Sequence, residues 1–596
     1  MDLPTVLKDD SKRSTHTSIV LPGHEQVSKA YVDEDRTRLH EVLEARDLPP
    51  CYYNHRVVRE NPNEEVWPFA LYMDGVPYSQ LDSVLGVWLV CVVTKKRFLV
   101  ANVRKRSFCR CGCRGWCTFY GVFVFIKWMV VAMSESRWPM ARHDGGEWRP
   151  SDVVRESKAG KDLGVRCAFI YIKGDWCEYS STFGFPTWQD SVRPCFNCNA
   201  FRKGMFVVSG NSENGLVWAS NEDGDYDRAC RLCEVVVEIK TVNDKKEILE
   251  RLRYDKSDKG GRGRTLTRDL PRFSLRTKDR LEPSSALPDV GEFENVKLPC
   301  SVVFWRMSVE THARHRNPLF CEETAMSPTR SVTVDTLHAL YLGVLKVWAE
   351  TAVWSLLESR VYGDVGPKEE RIVTAVAVLR NKMRTFYYDH RTAHRHVRDQ
   401  DGSKRLLTEL NDLTPNMVGA STDRKKSGKR KLKTKGAETW GFALFLTAEL
   451  KTYERSIVVP ECKRLLRAGE AIIEMVTVWK DGGVNLTEVE RKECFRLYND
   501  HMALMSTFCC FKPKHHVIYH ILEKSIWFGN PTLYDCWLDE SLNKNLKAAC
   551  RMQSQLTFEP CVLFAMRKIL RPNEKELPKP EPKPKGKRAR ALSDSD

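Results

Sequence analysis

What this chain lacks narrows its class first. It has no glycine-rich phosphate loop of the Walker or dinucleotide-binding kind, which argues against a nucleotide-driven motor. No internal repeat of fixed period runs through it, so neither a solenoid nor a propeller is expected. Its longest apolar run, Phe119 to Met133, is broken by Lys127 and is too short to cross a bilayer. It reads as a buried helix, and no membrane partner is expected. The opening MDLPTVLKDDSKRSTHTS is polar and mixed in charge, unlike a secretory leader, so a soluble intracellular protein is expected. Acids are also in short supply. Against 95 Lys and Arg stand 78 Asp and Glu, for a net charge of +17 and a pI near 9.0. That balance suits a polyanionic partner, nucleic acid foremost, because each cation placed on a phosphate releases counterions.

Cysteine is not scarce, at 21 in 596 residues. In an intracellular chain of this length the thiols are expected to be reduced, and their clusters read as metal sites rather than bridges. Cys195-x-x-Cys198 and Cys230-x-x-Cys233 make a CxxC…CxxC set. Four thiolates satisfy tetrahedral zinc, and the two-residue spacing lets each pair chelate from one turn. The denser group Cys109, Cys111, Cys113 and Cys117 reads either as a second zinc site or as the lining of a packed turn.

The chain divides into six stretches. Residues 1–60 read as a polar N-terminal arm. Residues 61–194 carry the pattern of an α/β sheet, with strands at Val66 to Met73, Val84 to Val93 and Arg97 to Val103. A helix from Thr118 to Met133 follows, then a fourth strand from Val165 to Ile172. Residues 195–300 are Cys-rich and then linker-like, 301–423 are helical, and 424–571 open on a basic block and continue as helices. Residues 572–596 form a Pro- and Lys-rich tail of disordered composition, in which Lys583 to Arg590 reads as a nuclear localisation signal.

The strand order β-β-β-α-β, with Asp74 on the first strand and Asp175 at the end of the fourth, is the order of an RNase H-like core. In that fold the first and fourth strands are neighbours, so the two acids would meet. Carboxylates brought together at strand ends are the ligands that two-metal phosphoryl transfer requires. A third acid is expected on a later helix. Glu438, at the head of the apolar helix in KGAETWGF, is the first choice; its alternative role is an acid favoured by the helix dipole. Glu540 reads first as an ordinary helix-face charge and second as an alternative third acid. Asp335, three residues before His338, is the other alternative. That pair is either a metal or DNA contact or an N-capping Asp with a core His. His516 and His520 have metal-binding spacing, but no neighbouring Cys or Glu in the sequence completes a site, so packing or DNA contact is expected. The basic residues Arg424, Lys425, Lys426, Lys429, Arg430, Lys431, Lys433 and Lys435, and the stretch Lys256 to Arg280, are expected to contact phosphates.

Taken in order, YMDGVPY, KGDWCEYSSTFGFPTW followed by CFNC, DTLHALYLGVLK and KGAETW resemble the motifs of CACTA-type (En/Spm-like) transposases and the related Plavaka and Kyakuja-Dileera-Zisupton groups. Asp74-Gly75, Asp175 with Cys195 and Cys198, Asp335 with His338, and Lys435 to Glu438 match the family motifs. The chain departs from them at Trp176-Cys177, where a small or Pro-containing turn is usual, and at Gly436, where Ala is commoner. The resemblance implies an RNase H-like catalytic core interrupted by a mainly helical insertion. It also implies Mg²⁺ or Mn²⁺ at the acids and cut-and-paste cleavage and joining at terminal inverted repeats; DNA is the partner expected, a second copy of the chain a further one, and the basic tail points to the nucleus. The rivals are a catalytically inactive, zinc-stabilised DNA-binding protein of transposase origin and a nuclease on the same core.

Overall fold

The computed structural model describes residues 5–8, 17–108, 116–226, 317–397, 407–421 and 430–571, apart from short breaks inside these stretches. Among the described residues the strands are β1 (Thr5–Lys8), β2 (Thr17–Val20), β3 (Val66–Pro77), β4 (Ser83–Cys91), β5 (Arg97–Arg104) and β6 (Arg166–Lys173). They form one sheet in the order β1-β2-β5-β4-β3-β6. β3 pairs antiparallel with β4 and parallel with β6, so the central part is a mixed sheet. The Val-, Ile- and Phe-rich stretches of β3 and β6 are buried on both faces, which is why they read as continuous apolar runs rather than alternating ones.

Between β5 and β6 the helix α2 (Trp116–Glu135) supplies the crossover that a parallel pair needs, and it packs against β6. An earlier helix, α1 (Gly23–Tyr31), lies against both α2 and β5. From Leu21 onward, the N-terminal stretch expected as a polar arm is thus part of the core. Leu21, Val27, Tyr31, Leu39 and Tyr52 are buried with the sheet, and the Tyr52 hydroxyl donates to the carbonyl of Val66 at 2.7 Å. The apolar residues of this stretch are few but widely spaced, which hides them from a periodicity reading.

After β6 the chain turns helical. A π-helical turn (Leu337–Val344) runs into α3 (Leu345–Glu358), followed by α4 (Lys368–Ala393), α5 (Gly436–Thr452), α6 (Cys462–Asp481), α7 (Glu488–Met505), α8 (Pro513–Phe528), α9 (Trp537–Arg551) and α10 (Phe558–Leu570). The π-turn and α3 to α8 enclose a second hydrophobic core around Trp348, Phe442, Leu465 and Tyr498. Two stretches, Thr118–Glu135 and Leu337–Glu358, have the length and apolarity of a membrane span, and 56% and 72% of them lie buried inside the fold.

The last two helices return to the sheet. Leu546 and Cys550 of α9 and Phe558, Val562 and Met566 of α10 join the sheet's core. Arg104 of β5 is bidentate with Glu559 of α10, at 2.5 and 2.9 Å. The sheet is therefore completed by residues from both ends of the described chain. Trp176 and Val334 pack against both cores and mark the seam between them.

Candidate catalytic and metal centres

The parallel β3–β6 ladder ends at the pair Tyr72–Lys173. Two residues further along each chain stand Asp74 and Asp175. Equal steps past a shared register point place both acids at the same end of the central strand pair, where an α/β sheet opens onto its crevice. Asp175 leaves its strand to N-cap the short helix Trp176–Glu178, its Oδ1 accepting from the Glu178 N–H at 2.6 Å.

α9 faces this end of the sheet, and its close approach is permitted by Gly86, the partner of Asp74 on β4. A β-carbon there would meet Trp88 Nε1 at 2.7 Å and Leu546 Cδ2 of α9 at 3.0 Å. The Asn543 amide donates to Asp74 Oδ2, which also accepts from the Tyr72 hydroxyl at 3.0 Å. Burial, then the charge of Asp175, pushes the Asp74 carboxyl up to about 6. Glu540 lies one turn before Asn543. Burial raises its carboxyl as well, and the charges of Asp335 and Asp175 act in the same direction against His338. The adjacent Asp539 turns the other way. Only 1% exposed, it takes salt bridges from Lys173, the last residue of β6, and from Arg97 at 3.4 Å. Burial pulls the Lys173 ammonium toward a lower pKa, but Asp539 outweighs it and raises the group above the ordinary lysine value.

Asp335 is an organiser rather than an open ligand. Its Oδ1 accepts from the backbone N–H groups of Leu337 at 3.1 Å and Cys536 at 2.9 Å. Its Oδ2 accepts from the backbone of His338 at 2.9 Å and from His338 Nδ1 at 2.6 Å. His338 Nε2 then reaches Glu540 Oε1 at 3.2 Å. Burial lowers the pKa of His338, but Asp335 outweighs it and lifts the imidazole to about 9, so it is cationic at neutral pH. The result is a continuous Asp335–His338–Glu540 chain in which an imidazolium orients the acid on α9.

Glu438, the first choice from sequence, is placed elsewhere. Its Oε2 accepts from the backbone N–H of Lys435 at 2.8 Å, and its Oε1 lies 3.4 Å from the Lys435 ammonium. It satisfies a free backbone N–H at the start of α5, the acidic half of a capping box. The acid of α9 whose carboxyl feels the charge of Asp175 is Glu540. A helix-face charge three residues before an Asn, at the start of an amphipathic helix, gave the sequence little to separate it from ordinary surface acids.

Cys230 and Cys233 lie outside the described residues, as do Cys109, Cys111 and Cys113; of Cys117 only the backbone, in α2, is described. Cys195 and Cys198 are instead joined by His516 and His520 of α8, all four buried, with their ligand atoms within 4.8 Å of one another. Cys198 Sγ lies 3.2 Å from His516 Nε2, which in turn lies 3.2 Å from His520 Nε2. The remaining ring nitrogens are spoken for. His516 Nδ1–H donates to the carbonyl of Met205 at 2.9 Å, and His520 Nδ1 pairs with Glu523 Oε2 at 3.1 Å, while Glu523 Oε1 accepts from Ser220 at 2.7 Å. These partners turn both Nε2 atoms toward the thiols, as the supporting shell of a metal site does. Burial resists ionisation of Cys195, but Cys198 and the two imidazoles outweigh it and draw its thiol well below the ordinary range. This buried Cys₂His₂ cluster can hold a metal ion. The carboxylates of Asp74, Asp175 and Glu540 do not form so tight a set.

Of the basic block, Arg430 pairs with Glu358 at 2.7 Å and Lys433 reaches Asn416 at 3.5 Å. Arg424, Lys425, Lys426, Lys429, the stretch 256–280 and the tail 583–590 lie outside the described residues.

No protein-family model, no curated protein and no solved structure matches this chain.

Proposed function

We propose that this protein is a DDE-type DNA transposase or a close relative, built on an RNase H-like core interrupted by a helical insertion and braced by zinc. The observation that carries the reading is the placement of Asp74 and Asp175 each two residues beyond the last pair of the central parallel ladder, with Glu540 and Asn543 of α9 on the same side. The strand order β5-β4-β3-β6, with β4 alone antiparallel to the other three, supports the core assignment.

The acids fit a divalent cation. Asp74 is raised toward neutrality by burial and by Asp175, a like-charge arrangement that positive charge relieves, and its Oδ1 is left open while Oδ2 is held by Tyr72 and Asn543. Asp74, Asp175 and Glu540 would hold Mg²⁺ or Mn²⁺, which when bound supplies the charge neutralisation and nucleophile activation of in-line phosphoryl transfer. Tyr72 and Asn543 fix the rotamer of Asp74, and the Asp175 N-cap fixes its own. His338, held by Asp335, orients Glu540. In the reaction proposed, water cleaves a phosphodiester at an element end and releases a 3′-OH, which then displaces a phosphodiester in target DNA. The Cys₂His₂ cluster suits structural zinc: two thiolates and two Nε2 atoms with a satisfied supporting shell.

A strand-cleavage and strand-transfer assay on duplex DNA with Mg²⁺ or Mn²⁺ tests this. Metal-dependent nicking and joining, abolished in Asp175→Asn, is the expected result. Equal background from wild type and Asp175→Asn would reduce the protein to a DNA-binding relative, and nicking without joining would make it a nuclease.

A further inference from the structure

Along α2 runs an open groove of about 1,100 Å³ that the chemistry above does not use. Tyr120, Val124, Trp128 and Val131 recur at i, i+4, i+8 and i+11, so they share one face of the helix and line the groove together. All four are half-buried, whereas Phe123, Ile126 and Val130 of the same helix go fully into the core. Trp138 and Met140, the latter 72% exposed, line it as well. Its charges nearly cancel: Lys127 pairs with Glu323 at 2.9 Å, and Arg142 pairs with Asp144. Among the described residues Glu135 and Glu322 have no cationic partner and Arg137 has no acidic one, so a small surplus of negative charge is left.

An aromatic-lined groove suits a polyproline II strand, a ligand whose backbone is already ordered before it binds. The helix face from Tyr120 to Val131 is about 16 Å long at 1.5 Å per residue. A polyproline II strand rises about 3.1 Å per residue, so about five of its residues cover that face. The chain carries such a segment. In PKPEPKPK, Pro578, Pro580, Pro582 and Pro584 alternate with three lysines and one glutamate, and the segment lies outside the described residues, after α10.

The end of α10 is within reach of the groove. The Arg571 guanidinium lies 4.2 Å from the centre of the Phe98 ring, and Phe98 meets Tyr31 at 6.3 Å. From Tyr31, α1 leads back to His24, whose ring meets Trp128 at 4.7 Å and Trp138 at 5.6 Å. With α1 counted at 1.5 Å per residue, that path is on the order of 25 Å. Residues 572–579 span up to about 29 Å when extended, which brings the next five residues onto α2.

We propose that this groove receives the chain's own tail in cis, with Pro580 to Pro584 lying along α2 as a polyproline II strand and the lysines around them facing Glu135 and Glu322.

The test titrates the full chain with a fluorescein-labelled peptide of residues 577–585, LPKPEPKPK, read by anisotropy. In the wild-type chain the tethered tail competes at a millimolar effective concentration. Wild type is therefore expected to bind the peptide roughly tenfold more weakly than a tail variant carrying Pro580→Ser, Pro582→Ser and Pro584→Ser. In that tail variant Trp138→Ala abolishes peptide binding. Glu135→Lys with Glu322→Lys, both at exposed positions, weakens it with an unchanged unfolding midpoint, which separates lost docking from lost folding. A tail variant that fails to bind the peptide overturns the groove assignment. Equal binding by wild type and tail variant shows the groove open in the full chain and overturns docking in cis. A wild-type chain that dimerises with rising concentration, and binds the peptide as the tail variant does once diluted, places the tail on a second copy and overturns docking in cis as well.

Discussion

Cys198 Sγ and His516 Nε2 lie 3.2 Å apart although 318 residues separate them in the chain. The contact ties the segment that follows β6 to the helix that precedes α9, across the whole helical insertion. A metal at this point therefore fixes the relative position of the two halves that carry Asp175 and Glu540.

Zinc bound here is expected at one ion per chain from this site, lost in His516→Ala and in His520→Ala. Glu523→Ala, which removes the supporting partner of His520, should weaken metal affinity by about 10–100-fold while keeping the stoichiometry at saturating metal. Substituting Cys230 and Cys233 should leave this ion in place. Metal analysis with chelator competition checks all three, and full retention of zinc in His516→Ala would show that the cluster is not its ligand set.

The choice between Glu540 and Glu438 is separable by activity and stability together. Glu540→Gln is expected to lower metal-dependent strand cleavage by at least 10²-fold with little change in the unfolding midpoint. Glu438→Ala should leave cleavage near wild type and cost about 1 kcal/mol, the usual scale for losing a cap at a helix start. Measured rates in the reverse order would return the third-acid role to Glu438.

Asp539 holds two cations in a buried network, so Asp539→Ala should destabilise the protein by about 3–5 kcal/mol by leaving Lys173 without a counter-charge. The double variant Lys173→Met with Asp539→Leu should recover much of that loss, since an uncompensated charge costs more than an apolar replacement. Urea titration of the single and double variants measures it; equal stability of Asp539→Ala and wild type would show the network to be idle.

Acid should unfold this protein before its carboxylates are exhausted. Burial holds His24 down at about 3, and His55 and His501 at about 4. Below the unfolded value of about 6.5 the unfolded chain binds protons that these folded imidazoles refuse, so stability falls as pH drops from 6.5 toward 4. Each contributes about 1.4 kcal/mol per pH unit in that window. His501→Gln should flatten the slope of unfolding free energy against pH between 6 and 4, and an unchanged slope would mean that His501 does not titrate there.

The sheet was legible because its strands are continuous apolar runs punctuated by turn residues, and because an acid follows each of the two that matter. The partnership of Asp74 and Asp175 could be read from strand order alone. The third acid could not. Glu438 heads an apolar helix after a basic block, which is also what an ordinary capping acid does, whereas Glu540 sits on a helix that reaches the sheet because Gly86 leaves room for Leu546. The metal cluster was half legible. The His pair was visible at i, i+4, but its thiols are distant in sequence, and a second CxxC nearer to Cys195 offered a simpler partner. The buried N-terminal residues were missed because isolated apolar positions in a polar stretch carry no period.

The discontinuity of the crevice also sets the order in which it can come into being. Asp74 and Asp175 leave the ribosome early, yet Asn543 and Glu540 follow several hundred residues later, and so does the helix bearing His516 and His520. A nascent or truncated chain ending before α8 holds two of the acids and two of the thiols with nothing to close either centre. Both centres are therefore complete only in molecules whose synthesis has run through α9.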